Sequence, residues 1–220
     1  MCAINDDLHF MESLKKELDV KLEKILHIYI FAQEAYLYTE YFHNPETKEE
    51  LDLVTNSPHT SNLSTIMHLM FRTVIVEVSK LYSRSENDKF QLERFINSLS
   101  SSGHFRKIGV ETRHIEKWQK LLFDNKSVID NILTLRSKLY AHTDNPLTNY
   151  NDIDISFKEI KTLLGIAAQI LTSIYHDVFD TELFTDSPTF DRKSFGILKL
   201  LAKAEKERQA DIINKYKNCR

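Results

Sequence analysis

The chain is poor in the residues that break structure. Its 220 residues hold four Gly and four Pro, fewer than ordinary usage supplies, which argues for long uninterrupted elements. Cysteine is nearly absent. Cys2 and Cys219 stand at opposite ends, a placement that excludes a disulfide framework and a zinc pattern and points to a reducing cytoplasm. There is no Gly-rich phosphate loop and no Ser nucleophile turn. His59, His68, His104, His114 and His176 are scattered without metal-ligand spacing, and Glu34 and Glu40 lack the Glu-x-x-His partner of a di-iron bundle. No metal and no cofactor is therefore expected.

Long hydrophobic runs are missing too. Ile25 to Ala32 contains His27 and is soon followed by Gln33 and Glu34, and Ile66 to Val78 contains His68, Arg72 and Glu77. Neither can span a bilayer, so no membrane partner is expected. Met1 to Asp7 carries two acids and no basic residue, unlike a signal peptide. A formal net charge of −3 excludes a surface that attracts nucleic acid everywhere. Local bias differs. From Lys199 onward there are seven Lys or Arg against three acids, and between His104 and Lys120 five against two. Each is either a solvated helix face or a patch that holds a polyanion.

What is present is helical period. Hydrophobic content of 42% and charged content of 28% suit a soluble globular chain long enough for one substantial core. Leu14, Leu18, Leu22, Ile25, Tyr29, Ala32 and Tyr36 form a stripe along a helix from Leu8 to Phe42. Pro45 and the polar run after it end that helix, with a loop around 44–58. His59 to Ser83 is a second helix, with Leu63, Ile66, Met70, Val74, Val78 and Leu81 inward. Asn87 or Asp88 can cap a short third helix through Leu99. A fourth starts near Val110 and runs, with a kink near Asp124-Asn125, to about His142, where Asp144-Asn-Pro146 stops it. Ser156 to Phe179 follows, with Gly165-Ile-Ala-Ala168 small enough for a neighbouring helix to approach. Ile153 to Phe157 is the one competing strand signal. The expectation is an all-α bundle of five to six helices in a single domain over 1–220. Residues 192–220 form its polar last helix, which projects or packs on a partner.

One short run carries possible chemistry: Arg136-Ser-Lys-Leu-Tyr-Ala-His142, followed by Thr143 and Asp144. Val128, Ile132, Leu135 and Leu139 make one apolar stripe, and His142 continues it. Ile129 and Leu133 make a second, continued by Arg136 and Tyr140. An arginine aimed at a packed face must find an anion. In an ideal helix Arg136 and His142 stand about 9 Å apart along the axis and roughly 120° apart around it. A long side chain, fraying at the helix end or a second copy of the motif must therefore close the gap. On a purely structural reading Arg136 pairs with a local carboxylate, while His142 donates to Asp144 or caps the helix.

Arg136-Ser-Lys-Leu-Tyr-Ala-His142-Thr-Asp144, at a helix end in an all-helical chain, resembles the HEPN superfamily, whose signature is Arg-x4–6-His with a polar residue after the arginine. Ser137 takes that place, where Asn, Asp or His is more usual. The surrounding text looks like the abortive-infection branch, with its R-x-K-x-x-A-H-x-D string. The resemblance implies a HEPN-like fold and a metal-independent endoribonuclease, a toxin or antiviral effector that acts as a homodimer on RNA. Arg136 and His142 would be its catalytic pair, while Ser137, Tyr140 and Asp144 would touch substrate. Histidine titrates in the range proton transfer needs. Arginine offers a fork of donors to phosphate oxygens. Ser137 can add a hydrogen bond to phosphate, and Tyr140 either stacks on a base or serves packing. Some relatives work with an antitoxin that modifies a tyrosine two residues past the histidine. Asp144 stands there in this chain, which argues against that particular control. Non-catalytic members also imply an alternative, a helical scaffold using the same dimer surface.

Overall fold

The computed structural model describes residues 2–141, 155–185 and 196–218, with side chains over 9–138, 155–185 and 196–217. Among the described residues the architecture is all-α, with eight helices and no strand. They are α1 (Cys2–His43), α2 (Lys48–Asn56), α3 (Thr60–Tyr82), α4 (Leu92–Leu99), α5 (Thr112–Asp124), α6 (Lys126–Ala141), α7 (Phe157–Phe179) and α8 (Ile197–Asn218). A 3-10 turn, Arg106–Ile108, lies between α4 and α5. None of the described helices is long and apolar enough to cross a membrane.

The chain divides into two compact units, 1–33 with 73–186 and 34–72 with 187–220. Two of the boundaries fall inside α1 and α3, where the sequence has neither Gly nor Pro to mark them. In the first unit α1 buries Leu14, Leu18, Leu22, Ile25, Tyr29 and Ala32. Val74, Val78 and Leu81 of α3 are buried too, as are Trp118 of α5, Ile129 and Ile132 of α6, and Ile160, Leu163, Ile170 and Ile174 of α7. Each large aliphatic side chain so buried contributes about 1.5–3 kcal/mol. Helix α7 starts at a capping box: the Ser156 hydroxyl accepts from Glu159 N at 3.2 Å, and the Glu159 carboxylate accepts from Ser156 N at 2.7 Å. The Ser156 hydroxyl and backbone N–H donate to the Glu159 carboxyl and hold its pKa below the usual range.

The second unit has its own small core of Tyr41, Phe42, Leu53, Leu63, Leu198 and Ala202. The Tyr41 hydroxyl accepts from Leu198 N at 3.1 Å. Helix α8 packs its first turns on α2. Glu205 anchors its middle, taking two 2.7 Å hydrogen bonds from Arg208 and one of 2.9 Å from Gln209, with His59 3.7 Å away. Those donors hold the Glu205 carboxyl at about 2. Beyond Lys206 every described α8 residue is exposed, Tyr216 to 75%. The polar helix expected at the end of the chain therefore packs in its first half and is bare in its second.

Several expectations change. The described residues alone hold eight helices, so the count of five to six is too low. The stretch 44–58 is not all loop. Thr47 Oγ1 accepts from Glu50 N at 3.2 Å and Glu50 Oε2 accepts from Thr47 N at 3.1 Å, a capping box that nucleates α2. The kink at Asp124-Asn125 is a full break, with Asn125 closing α5 and donating its side-chain amide to Leu121 O at 2.9 Å. Asn87 and Asp88 cap no helix, because α4 starts at Leu92 behind Gln91. Ile66 is 45% exposed rather than buried. Gly165 faces open space, and its fully buried neighbour Ala167 supplies the small surface instead. Ile155 and Ser156 form no strand, and Phe157 opens a helix.

Candidate functional site

Ile129, Ile132 and Leu135 recur at threes and face the core, which fixes the rotation of α6. That rotation leaves Arg136 at the rim of the packed face, its side chain 33% exposed. Its anion is Asp88, in the loop after α3, with Nη1 3.7 Å from Oδ2. This is a charge contact but too long for a hydrogen bond. The Ser83 hydroxyl donates to the same Asp88 oxygen. A tighter pair of opposite polarity lies beside it, Arg84 Nη1 to Asp130 Oδ1 at 2.6 Å. The loop and α6 are thus joined by two crossed Arg–Asp contacts, and the one that includes Arg136 is the loose member.

Ser137 is exposed and donates its hydroxyl proton to Leu133 O at 3.0 Å, the usual back-bond of a helical serine. Its oxygen can still accept, and donation to a phosphate needs a rotamer change. The backbone of Tyr140 lies in the last turn of α6, which ends at Ala141. The Tyr140 side chain, His142 and Asp144 lie outside the described residues. Arg136 and Ser137 are therefore the two expected site residues whose side chains are placed, on adjoining positions of one helix end.

A second constellation was not singled out from sequence. His114, in the first turn of α5, directs Nδ1 at Asp177 Oδ2. His176, beside Asp177 near the end of α7, directs Nδ1 at Oδ1 of the same carboxylate at 2.9 Å. Side-chain exposure is 27% for His114, 22% for Asp177 and 71% for His176. Fully buried Trp118 meets the His114 ring edge-on at 6.1 Å between centroids. Burial pushes the Asp177 carboxyl up, but hydrogen bonds and charge from His176 and His114 outweigh it and hold the carboxyl below its usual range. The hydrogen bond to Asp177 raises His176, helped by the charges of Asp177, Asp180 and Glu182. The basic stretch 104–120 was the one signal in the sequence that bordered this place. Among the described residues no group of three or more His, Cys, Asp or Glu is placed to hold a metal ion.

Compared with known proteins, the chain matches no family model, no curated protein and no solved structure.

Proposed function

We propose that this chain is a HEPN-like, metal-independent endoribonuclease that cleaves RNA by attack of a ribose 2′-OH on the adjacent phosphate. The single observation that supports it most is Arg136, held at the rim of the α6 face with a loose 3.7 Å anion and six residues before His142 in a run that resembles the family motif. A guanidinium whose ion pair among the described residues is a long one keeps donors for phosphate oxygens. The base at the 2′-OH and the acid at the leaving 5′ oxygen fall to histidine. One chain brings one motif histidine, so the working unit in this reading is a homodimer whose two motif helices share a cleft. A defence or toxin-type effector restrained by a cognate antitoxin is the biological setting the resemblance implies.

The test uses purified protein, mixed RNA and EDTA. Wild type cleaves long RNA and His142→Ala cleaves it at least tenfold more slowly, while size-exclusion elution and thermal midpoint stay unchanged. Intact RNA of every class with the wild type ends the nuclease reading.

The Arg136–Asp88 contact also favours a second reading, a non-catalytic helical scaffold in which the arginine is structural. That reading expects Arg136→Ala to lower the thermal midpoint and RNA to be neither bound nor cut.

A further inference from the structure

The Asp177 carboxylate accepts hydrogen bonds and donates none once ionised. Both imidazoles meet it through Nδ1, so both Nδ1 atoms carry hydrogen and the chemistry of each ring is left to Nε2. A neutral ring then offers a lone pair there, and a protonated ring offers an N–H. The hydrogen bond to Asp177 and the charges of Asp177, Asp180 and Glu182 favour the protonated form of His176, the form a general acid requires, and the second ring on the same carboxylate is placed to serve as the base.

Two cations in the surrounding recesses can meet the phosphate of a phosphodiester. His114, His176 and Asp177 line a cleft of about 360 Å³ together with Glu111 and Arg113. His176 also lines an adjoining recess of about 450 Å³ with Lys117. Each of the two recesses thus has one cation in its lining. Arg113 is tied to Glu111 at 2.5 Å on the open surface, both side chains more than 60% exposed, where such a tie is weak and easily exchanged for phosphate. The charged groups around the rings are Glu111 just before α5, Arg113 and Lys117 from α5, and Asp177, Asp180 and Glu182 from the end of α7 and the residues after it.

We infer that His114, Asp177 and His176 form a second acid–base centre, complete within one chain, that takes a phosphodiester. It rests on the RNA reading for the nature of its ligand, but uses neither Arg136 nor His142. The neutral ring takes the 2′-OH proton at Nε2 and O2′ bonds to phosphorus. The P–O5′ bond breaks as the protonated ring gives its Nε2 proton to the leaving oxygen. The products are a 2′,3′-cyclic phosphate and a 5′-OH, and one proton has moved from ring to ring. Asp177 keeps both rings oriented throughout and is a positioning residue.

The probe is the dinucleotide UpA in EDTA between pH 4.5 and 8.5, with the full-length protein. Wild type should give a bell-shaped rate profile. His176→Ala, which alters an exposed ring, should keep the thermal midpoint and lower the rate by about a hundredfold, since general acid–base groups contribute 10²–10⁴. Added imidazole should restore part of that rate. Asp177→Asn should shift the limbs of the profile. Thr65→Ala, at an exposed α3 position in the second unit, should leave UpA cleavage within twofold. Full activity in His176→Ala overturns this centre and leaves the α6 reading standing. Loss of UpA cleavage in both His176→Ala and Arg136→Ala overturns its independence. No UpA cleavage by wild type overturns it as well, while cleavage of long RNA still tests α6 separately.

Discussion

Arg136 and Asp88 face each other across 3.7 Å between α6 and the loop after α3, close enough for charge and too far for a hydrogen bond. Both side chains are about a third exposed. Pairs of this kind contribute roughly 0.2–1 kcal/mol. Asp88→Asn should therefore shift unfolding free energy by less than about 1 kcal/mol and leave RNA cleavage equal or faster, because the competing carboxylate charge is gone. Chemical denaturation and an RNA assay on the same preparation check both halves. A large loss of stability would assign Arg136 to the scaffold reading.

Gly103 closes the turn after α4, where Phe105 N donates to Ser98 O at 2.8 Å. A Cβ on Gly103 would lie 2.2 Å from that same oxygen. The backbone must move and the hydrogen bond must loosen. Gly103→Ala should destabilise by about 1–3 kcal/mol, the range for overpacking. Thermal unfolding measures it, and an unchanged midpoint would show that the turn relaxes freely.

Thr47→Ala removes the side-chain half of the capping box on α2. The expected cost is about 1 kcal/mol, with faster amide exchange at Glu50 and Leu51, whose N–H groups bond to Thr47. Exchange confined to α1 would contradict the assignment.

Glu205 is held at about 2 by Arg208, Gln209 and His59 against an ordinary value of 4.5. A depressed carboxylate stabilises the fold above its unfolded pKa, and that stability is lost as pH falls through the folded value. The second unit should therefore weaken between pH 4.5 and about 2. Glu205→Gln should be less stable at neutral pH and lose the steepness of that decline. Denaturation followed by Tyr41 fluorescence lifetime or local amide exchange reads the slope, and equal slopes in both proteins would contradict the linkage.

Much of the fold is legible because helices advertise themselves locally. The α1 stripe from Leu14 to Ala32 is buried as its period implies, since one long amphipathic helix carries its own register. Helix α2 is hidden by brevity. Its nine residues bury Leu53 and the capping Glu50, too few for a period, although Thr47-x-x-Glu50 was there to be read as a start. Gly165 misled because small size alone does not say which way a position faces. The division through α1 and α3 has no compositional mark, since continuous helices carry it.

The two candidate sites differ in the same way. Arg136, Ser137 and Tyr140 lie on one helix, and a linear motif finds them. His114 and the His176–Asp177 pair come from α5 and α7, so only folding places them on a common carboxylate. No spacing rule joins them.

The central claim stands on Arg136. With His176→Ala in both proteins to silence the second centre, the chain with Arg136 and the chain with Arg136→Ala, matched for folded fraction and incubated side by side with total RNA in EDTA, should differ by at least a hundredfold in cleavage of long RNA, the effect of removing a charge-stabilising group from a transition state. Equal degradation by the two proteins, or none by either, would contradict it.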